Sequence, residues 1–186
     1  MNTAIAFWVA LAVLLFWALG AYNRLVRLRA QVIGSFGPVG QRLEQVLVVL
    51  TPGPLRPASV DNAPPEPAEM PAADPDGLHS AAAQLTQSLR FVRKQPLNTS
   101  AVAALKTAFE TMHVAWQRHQ AVGAARTEPD SITHQSDQRG WEDHTQLARE
   151  AMETYNQAVL AYNGAIRQFP ALLLAYLFGF GAAQCL

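Results

Sequence analysis

Few residues in this chain have the type and spacing that chemistry requires. The most suggestive is Glu110-x-x-His113, half of the Glu-x-x-His pair with which ferritin-like helical bundles hold two iron or manganese ions. No second Glu-x-x-His occurs, and Phe109 and Met112 belong to an apolar stripe, which puts Glu110 and His113 beside or outside it. His113 and His119 are six residues apart and fall on different faces of a helix, unlike an i, i+4 zinc pair. His119 is expected at a partly buried helix end, and His134 and His144 in solvent in or beside a polar loop. Gly34-Ser35-Phe36-Gly37 lacks the lysine and the strand-to-helix setting of a phosphate loop, and there is neither a nucleophile elbow nor a Cys-His pairing. The expectation is therefore no catalytic residue, no metal site and no cofactor. The 14 basic and 14 acidic residues cancel, so nothing suggests a nucleic-acid partner.

The other recurrent pattern is Tyr155-Asn156 followed by Tyr162-Asn163. Seven residues make two helical turns, so the tyrosines share one face about 10.5 Å apart and each asparagine sits on the adjoining face. Two readings are open. In the first, which we prefer, the tyrosines fill a core with their hydroxyls at its edge, and the asparagines fix helix register by hydrogen bonding. In the second, Tyr155, Asn156, Tyr162 and Asn163 form an interaction surface for a partner helix or peptide.

These residues must be positioned by helices, and the first of them is built for a bilayer. Ala4 to Ala21 contains 18 consecutive residues without a charge, about 27 Å of helix and close to the thickness of a hydrocarbon core. Trp8 and Trp17 lie toward its ends with Tyr22 just beyond, where amphipathic rings meet headgroups. A cleaved signal peptide carries Lys or Arg before its apolar run. Here none precedes it, whereas Arg24, Arg27 and Arg29 lie just after it, which favours an uncleaved anchor with its C-terminal side in the cytoplasm. The single cysteine, Cys185, can form no internal disulfide, consistent with a cytosolic domain.

Beyond the anchor, Leu25, Leu28, Val32, Phe36, Val39, Leu43, Val46 and Leu50 recur at spacings of three and four and predict an amphipathic helix. Gly34, Gly37, Pro38 and Gly40 predict a kink or break near Gly37. Residues 51–77 hold eight of the 12 prolines and no aromatic residue, a passive linker. A second helix is expected over 78–93, with Leu78, Ala82, Leu85, Leu89 and Val92 in one stripe. A third carries Val102, Leu105, Phe109, Met112, Trp116 and His119 in one stripe, with Asn98, Thr99 and Ser100 as candidate caps. Residues 123–140 read as a polar loop. The last helix, 141–169, places Trp141, Ala148, Tyr155, Tyr162 and Phe169 at one heptad position and Ala151, Ala158 and Ala165 at another, until Pro170 ends it. Ala171 to Phe180 is short, apolar and uncharged, fit either to cap the bundle or to lie on a bilayer surface.

Tyr22-Asn23 with Leu25-Val26-Arg27-Leu28-Arg29 near one end, and the Tyr-Asn repeats leading into Phe169-Pro170 and Phe178-Gly179-Phe180 near the other, resemble the LemA family of bacterial proteins. The resemblance covers roughly 4–50 and 141–180; the family's first helix is longer and more polar, and the Pro-rich stretch replaces part of it. It implies a bacterial inner or cytoplasmic membrane protein of poorly defined biochemical role. The expected fold is all-α: an external N-terminus over 1–3, a single transmembrane helix over 4–22, a first bundle helix over 23–50, the linker, and the rest of an antiparallel bundle of three to four helices over 78–186. The expected function is a non-enzymatic scaffold or adaptor whose partners are the lipid bilayer and other membrane or envelope proteins. A metal-binding bundle with redox or hydrolytic activity and an exported, periplasmic bundle are the alternatives. Partner, ligand and oligomeric state are not written in the sequence.

Overall fold

The computed structural model describes residues 2–50, 77–126 and 132–186, with side chains placed over 4–50, 77–122 and 138–186. It contains five helices: α1 (Asn2–Leu50), α2 (Leu78–Lys94), α3 (Thr99–Arg126), α4 (Ile132–Ile166) and α5 (Ala171–Phe178). No strand occurs among the described residues. The linker, apart from Gly77, lies outside them.

The apolar run and the first core helix form one continuous helix. α1 runs from Asn2 to Leu50 through Pro38, with no break at Gly37. The reason is where the proline sits. Gly34, Gly37 and Pro38 all lie on the exposed side, while Val32, Phe36, Val39, Leu43 and Val46 are buried on the other. The Gly34 carbonyl that loses its donor to Pro38 therefore faces solvent, which can satisfy it, and the buried stripe continues undisturbed. Over 4–20, by contrast, α1 packs almost nothing, and its large apolar side chains are exposed all round.

The remaining helices pack on α1 in two tiers. α4 runs antiparallel beside α1 along its length: Gly140 lies against Val49, Phe36 meets Tyr155, and Trp17 meets Phe169. α2 is also antiparallel to α1 but covers only its far end, with Leu78 and Leu50 lining one pocket and Arg93 bonded to Glu44 at 2.6 Å across the α1 backbone at Gly40. α3 packs on α2 and reaches α4 through large rings, Trp116 stacking on Trp141 at 4.8 Å. The tier beyond Gly40 thus has four helices, and the tier nearer the apolar run has α1 and α4, with the short α5 packed against both.

Local signals explain most boundaries. Asn98 caps α3, its Oδ1 accepting from the Ala101 amide at 3.1 Å and the Ser100 hydroxyl at 2.7 Å. The polar stretch read as a loop over 123–140 is mostly helix: α3 continues to Arg126 and α4 begins at Ile132. Trp141 is buried and anchors the adjoining turn, and Gln138 bonds Glu142 at i, i+4. At its other end α4 stops at Ile166, three residues short of expectation, because the residue before a proline is driven out of the α region. Phe169 consequently leaves the heptad face and is 71% exposed. The predicted stripes of α1, α2 and α3 are buried, save that Leu28 and Ala82 are half-buried, with Ala81 taking the fully buried place on α2, and that His119, the last of the α3 stripe, is not partly buried as expected but exposed, stacked against Trp116.

Because Pro38 is exposed and its helix continues through it, Pro38→Ala restores a backbone hydrogen bond at no packing cost. Its expected effect is to stabilise the fold by about 1–3 kcal/mol, the range set by helix-interior proline. Thermal unfolding of the detergent-solubilised chain monitored by circular dichroism measures it; a lower midpoint would show that the proline is needed where it stands.

Candidate functional site

The Tyr-Asn face of α4 is occupied by the chain's own C-terminal residues. α5 ends at Gly179, in the left-handed conformation (φ 68°) that closes the helix with the Phe180 amide on the Ala175 carbonyl at 2.9 Å. The chain then turns back and runs non-helically along α4. Asn163 pairs with Ala183 in both directions: Nδ2 donates to the Ala183 carbonyl at 2.8 Å, and Oδ1 accepts from the Ala183 amide at 2.9 Å. Asn156 does the same with Leu186, at 3.0 and 2.8 Å. Tyr162 donates its hydroxyl to the Gly181 carbonyl at 3.0 Å and Tyr155 to the Gln184 carbonyl at 3.3 Å.

The register comes from two rises. Seven residues of α-helix advance about 10.5 Å, and three residues of extended chain about 10 Å. The asparagines are seven apart on α4, and their partners Ala183 and Leu186 are three apart on the tail, running the opposite way. One edge of a carboxamide presents a donor N–H beside an acceptor oxygen in a plane, the same complement that a backbone residue offers, so each asparagine pairs with one tail residue as a neighbouring strand would.

The tyrosine rings are core: Tyr155 is 0% and Tyr162 1% exposed, and Phe36 meets Tyr155 edge-on at 6.0 Å. The packing reading thus describes the rings. The asparagines do not tie helix to helix; they tie helix to an extended segment. Sequence reasoning missed residues 181–186 as their partner, although Gly181, Ala182 and Ala183 are small enough to lie close against a helix. Burial, and secondarily the neighbouring Cys185, pushes the Tyr155 phenol up to about 12; burial also raises Tyr162.

The far end carries a second aromatic feature. His113, Trp141, Trp116 and His119 stack in sequence, at 6.2, 4.8 and 5.9 Å between centroids. Burial, with Arg149 adding to it, lowers the His113 pKa and favours the neutral ring in the stack. His144, expected in solvent, is half-buried on α4, and the neighbouring Thr145 is buried. Glu110 is exposed on α3, and no group of three His, Cys, Asp or Glu side chains is placed to hold a metal among the described residues.

At the opposite end α5 lies beside the apolar run. Tyr22 contacts Phe178 at 5.1 Å and Phe180 at 6.1 Å, and the Arg29 guanidinium sits 5.7 Å over Phe180. α5 buries only Ala171 and Ala175 fully, leaving Leu172, Leu173, Tyr176, Leu177 and Phe178 exposed. No family model, no curated protein and no solved structure matches the chain.

Asn163→Ala removes both bonds to Ala183. It is expected to cost about 2 kcal/mol at roughly 1 kcal/mol per bond and, more specifically, to accelerate hydrogen exchange at the Ala183 and Leu186 amides; unchanged exchange there would refute the pairing. Tyr162→Ala empties a buried aromatic site and should cost about 3–5 kcal/mol, read from the same thermal transition. The Tyr155 hydroxyl adds an alkaline signature. In the unfolded chain a phenol ionises near pH 10, while in the fold it holds its proton to about 12. The stabilisation is therefore complete below about pH 10 and is lost as pH rises toward 12. Tyr155→Phe should flatten that part of the stability profile, measured by melting at stepped pH.

Proposed function

We propose that the chain is a membrane-anchored, LemA-like, non-enzymatic scaffold or adaptor at the bacterial cytoplasmic membrane, with an antiparallel helical bundle on the cytoplasmic side. The observation that carries this reading is α1: one unbroken helix whose first part exposes Phe7, Trp8, Leu14, Phe16 and other large apolar side chains and whose second part supplies the buried stripe. Exposing such a run to water on all sides is unfavourable at about 25 cal/mol per Å2, whereas a hydrocarbon core accommodates it. α1 is the one helix among the described residues long and apolar enough to cross a membrane. Arg24, Arg27 and Arg29 on its C-terminal flank support the cytoplasmic orientation.

The adaptor reading is supported by the exposed faces of α2, α3 and α4. The Tyr-Asn face already holds the tail, so a partner peptide using that face has to replace six hydrogen bonds made in cis.

Orientation is testable by fusion at Leu186. Green fluorescent protein there is expected to fluoresce, and alkaline phosphatase at the same position to stay inactive. Active phosphatase would move the bundle to the periplasm and support the exported alternative.

A further inference from the structure

A groove of about 1010 Å3 lies between α1 and the turn joining α4 to α5. Its walls include Val13, Leu14 and Trp17 of the apolar run on one side and Phe169 and Pro170 on the other, and its polar residues are Arg24 and Gln168, of which Arg24 alone is charged. Gly20 is in its floor, and a Cβ built there meets nothing within 4 Å, so the space beside the α1 backbone is open.

Three observations bear on what fills it. First, the groove is continuous with the exposed apolar surface of α1 and with Leu172, Leu173 and Leu177 of α5, so whatever solvates that run also reaches the groove. Second, Phe169 meets Trp17 at 5.5 Å, four residues or about 6 Å of helix inside the end of the apolar run at Ala21, so the turn lies beside the apolar run rather than beyond its end. Third, charge at this end has one sign. Arg24, Arg27, Arg29 and Arg167 are here, whereas neither 1–43 nor 154–186 contains an Asp or Glu, and Arg24 makes no ion pair among the described residues.

We propose that this groove is a phospholipid site: one acyl chain lies along Val13, Leu14, Trp17 and Gly20 of α1, and the phosphate of the same lipid bonds the Arg24 guanidinium. The inference rests on the membrane-anchored reading and adds to it a defined, stoichiometric lipid. Burial of acyl methylenes contributes about 0.8 kcal/mol each when they leave water, but a chain already in a bilayer gains only packing. Occupancy is therefore decided by the headgroup contact, and guanidinium with phosphate is a charge-assisted, bidentate pair. An anionic headgroup is favoured over a zwitterionic one by the surrounding arginines.

The test uses the full chain reconstituted in nanodiscs of phosphatidylcholine mixed with phosphatidylglycerol, then released and weighed by native mass spectrometry. The wild type is expected to retain one phospholipid, enriched in phosphatidylglycerol over the nanodisc mixture. Gly20→Phe, which fills the groove from a position with room for it, should lose the adduct. Ala12→Phe, an equal addition to an exposed residue that does not line the groove, should keep it. Arg24→Gln should reduce retention and abolish the enrichment. Equal retention by Gly20→Phe and wild type at matched thermal stability, or no adduct at all from wild type, overturns the site while leaving the anchor intact. Failure of the wild type to enter nanodiscs overturns the membrane reading itself.

Discussion

The structure depends on the continuity of α1. This one helix carries two different surfaces on one rigid axis, apolar on every side over 4–20 and apolar on one side thereafter. Because no hinge intervenes, the direction in which Leu25, Val32, Phe36 and Val39 face is rotationally locked to the apolar run. α4 must then lie on one particular side, the α4–α5 turn must fall beside Trp17, and α5 must emerge level with Tyr22. A proline in such a helix is tolerable only where its missing donor points away from the packed side, and Pro38 does.

The two-tier arrangement gives the tail its role. The α2–α3 hairpin turns at 95–98, near the level of Gly40, and leaves the α1–α4 pair beyond it without a third wall. Two helices alone expose one flank of their seam. The tail covers it at Tyr155 and Tyr162 using backbone groups that otherwise face water, and the Asn156 and Asn163 amides absorb those groups so that the coverage leaves them paired. Buried rings and polar pairs are thus two parts of one packing solution: the ring fills the seam, its hydroxyl marks the edge, and the neighbouring amide holds the covering segment in place.

Much of this was legible in the residues. Stripes with spacings of three and four, such as Val102, Leu105, Phe109, Met112 and Trp116, report directly on which face is buried, because helix period and burial are the same signal. The Asn98 cap was legible for an equally local reason. Interruptions were not. Whether Pro38 breaks a helix depends on which way it faces the core, and whether 132–140 is helical depends on how Trp141 packs at its C-terminal end; both are tertiary facts. The tail was hidden for another reason. A carboxamide reading a backbone leaves no mark on the side chains it reads, and the clue, seven residues against three, appears only when a helix and an extended chain are laid side by side.

That mode of contact has a consequence for how this protein can vary. Since Asn156 and Asn163 address main-chain atoms, and the side chains of Ala182 and Gln184 point outward into solvent, the tail is free to drift in identity at those positions while remaining intolerant of any change in count. A single inserted or deleted residue between Ala183 and Leu186 shifts one pairing by about 3.4 Å with nothing on α4 to compensate. The Tyr-Asn face therefore measures length rather than spelling, and divergent copies of such a protein can be recognised by a constant spacing in a segment whose letters have scattered.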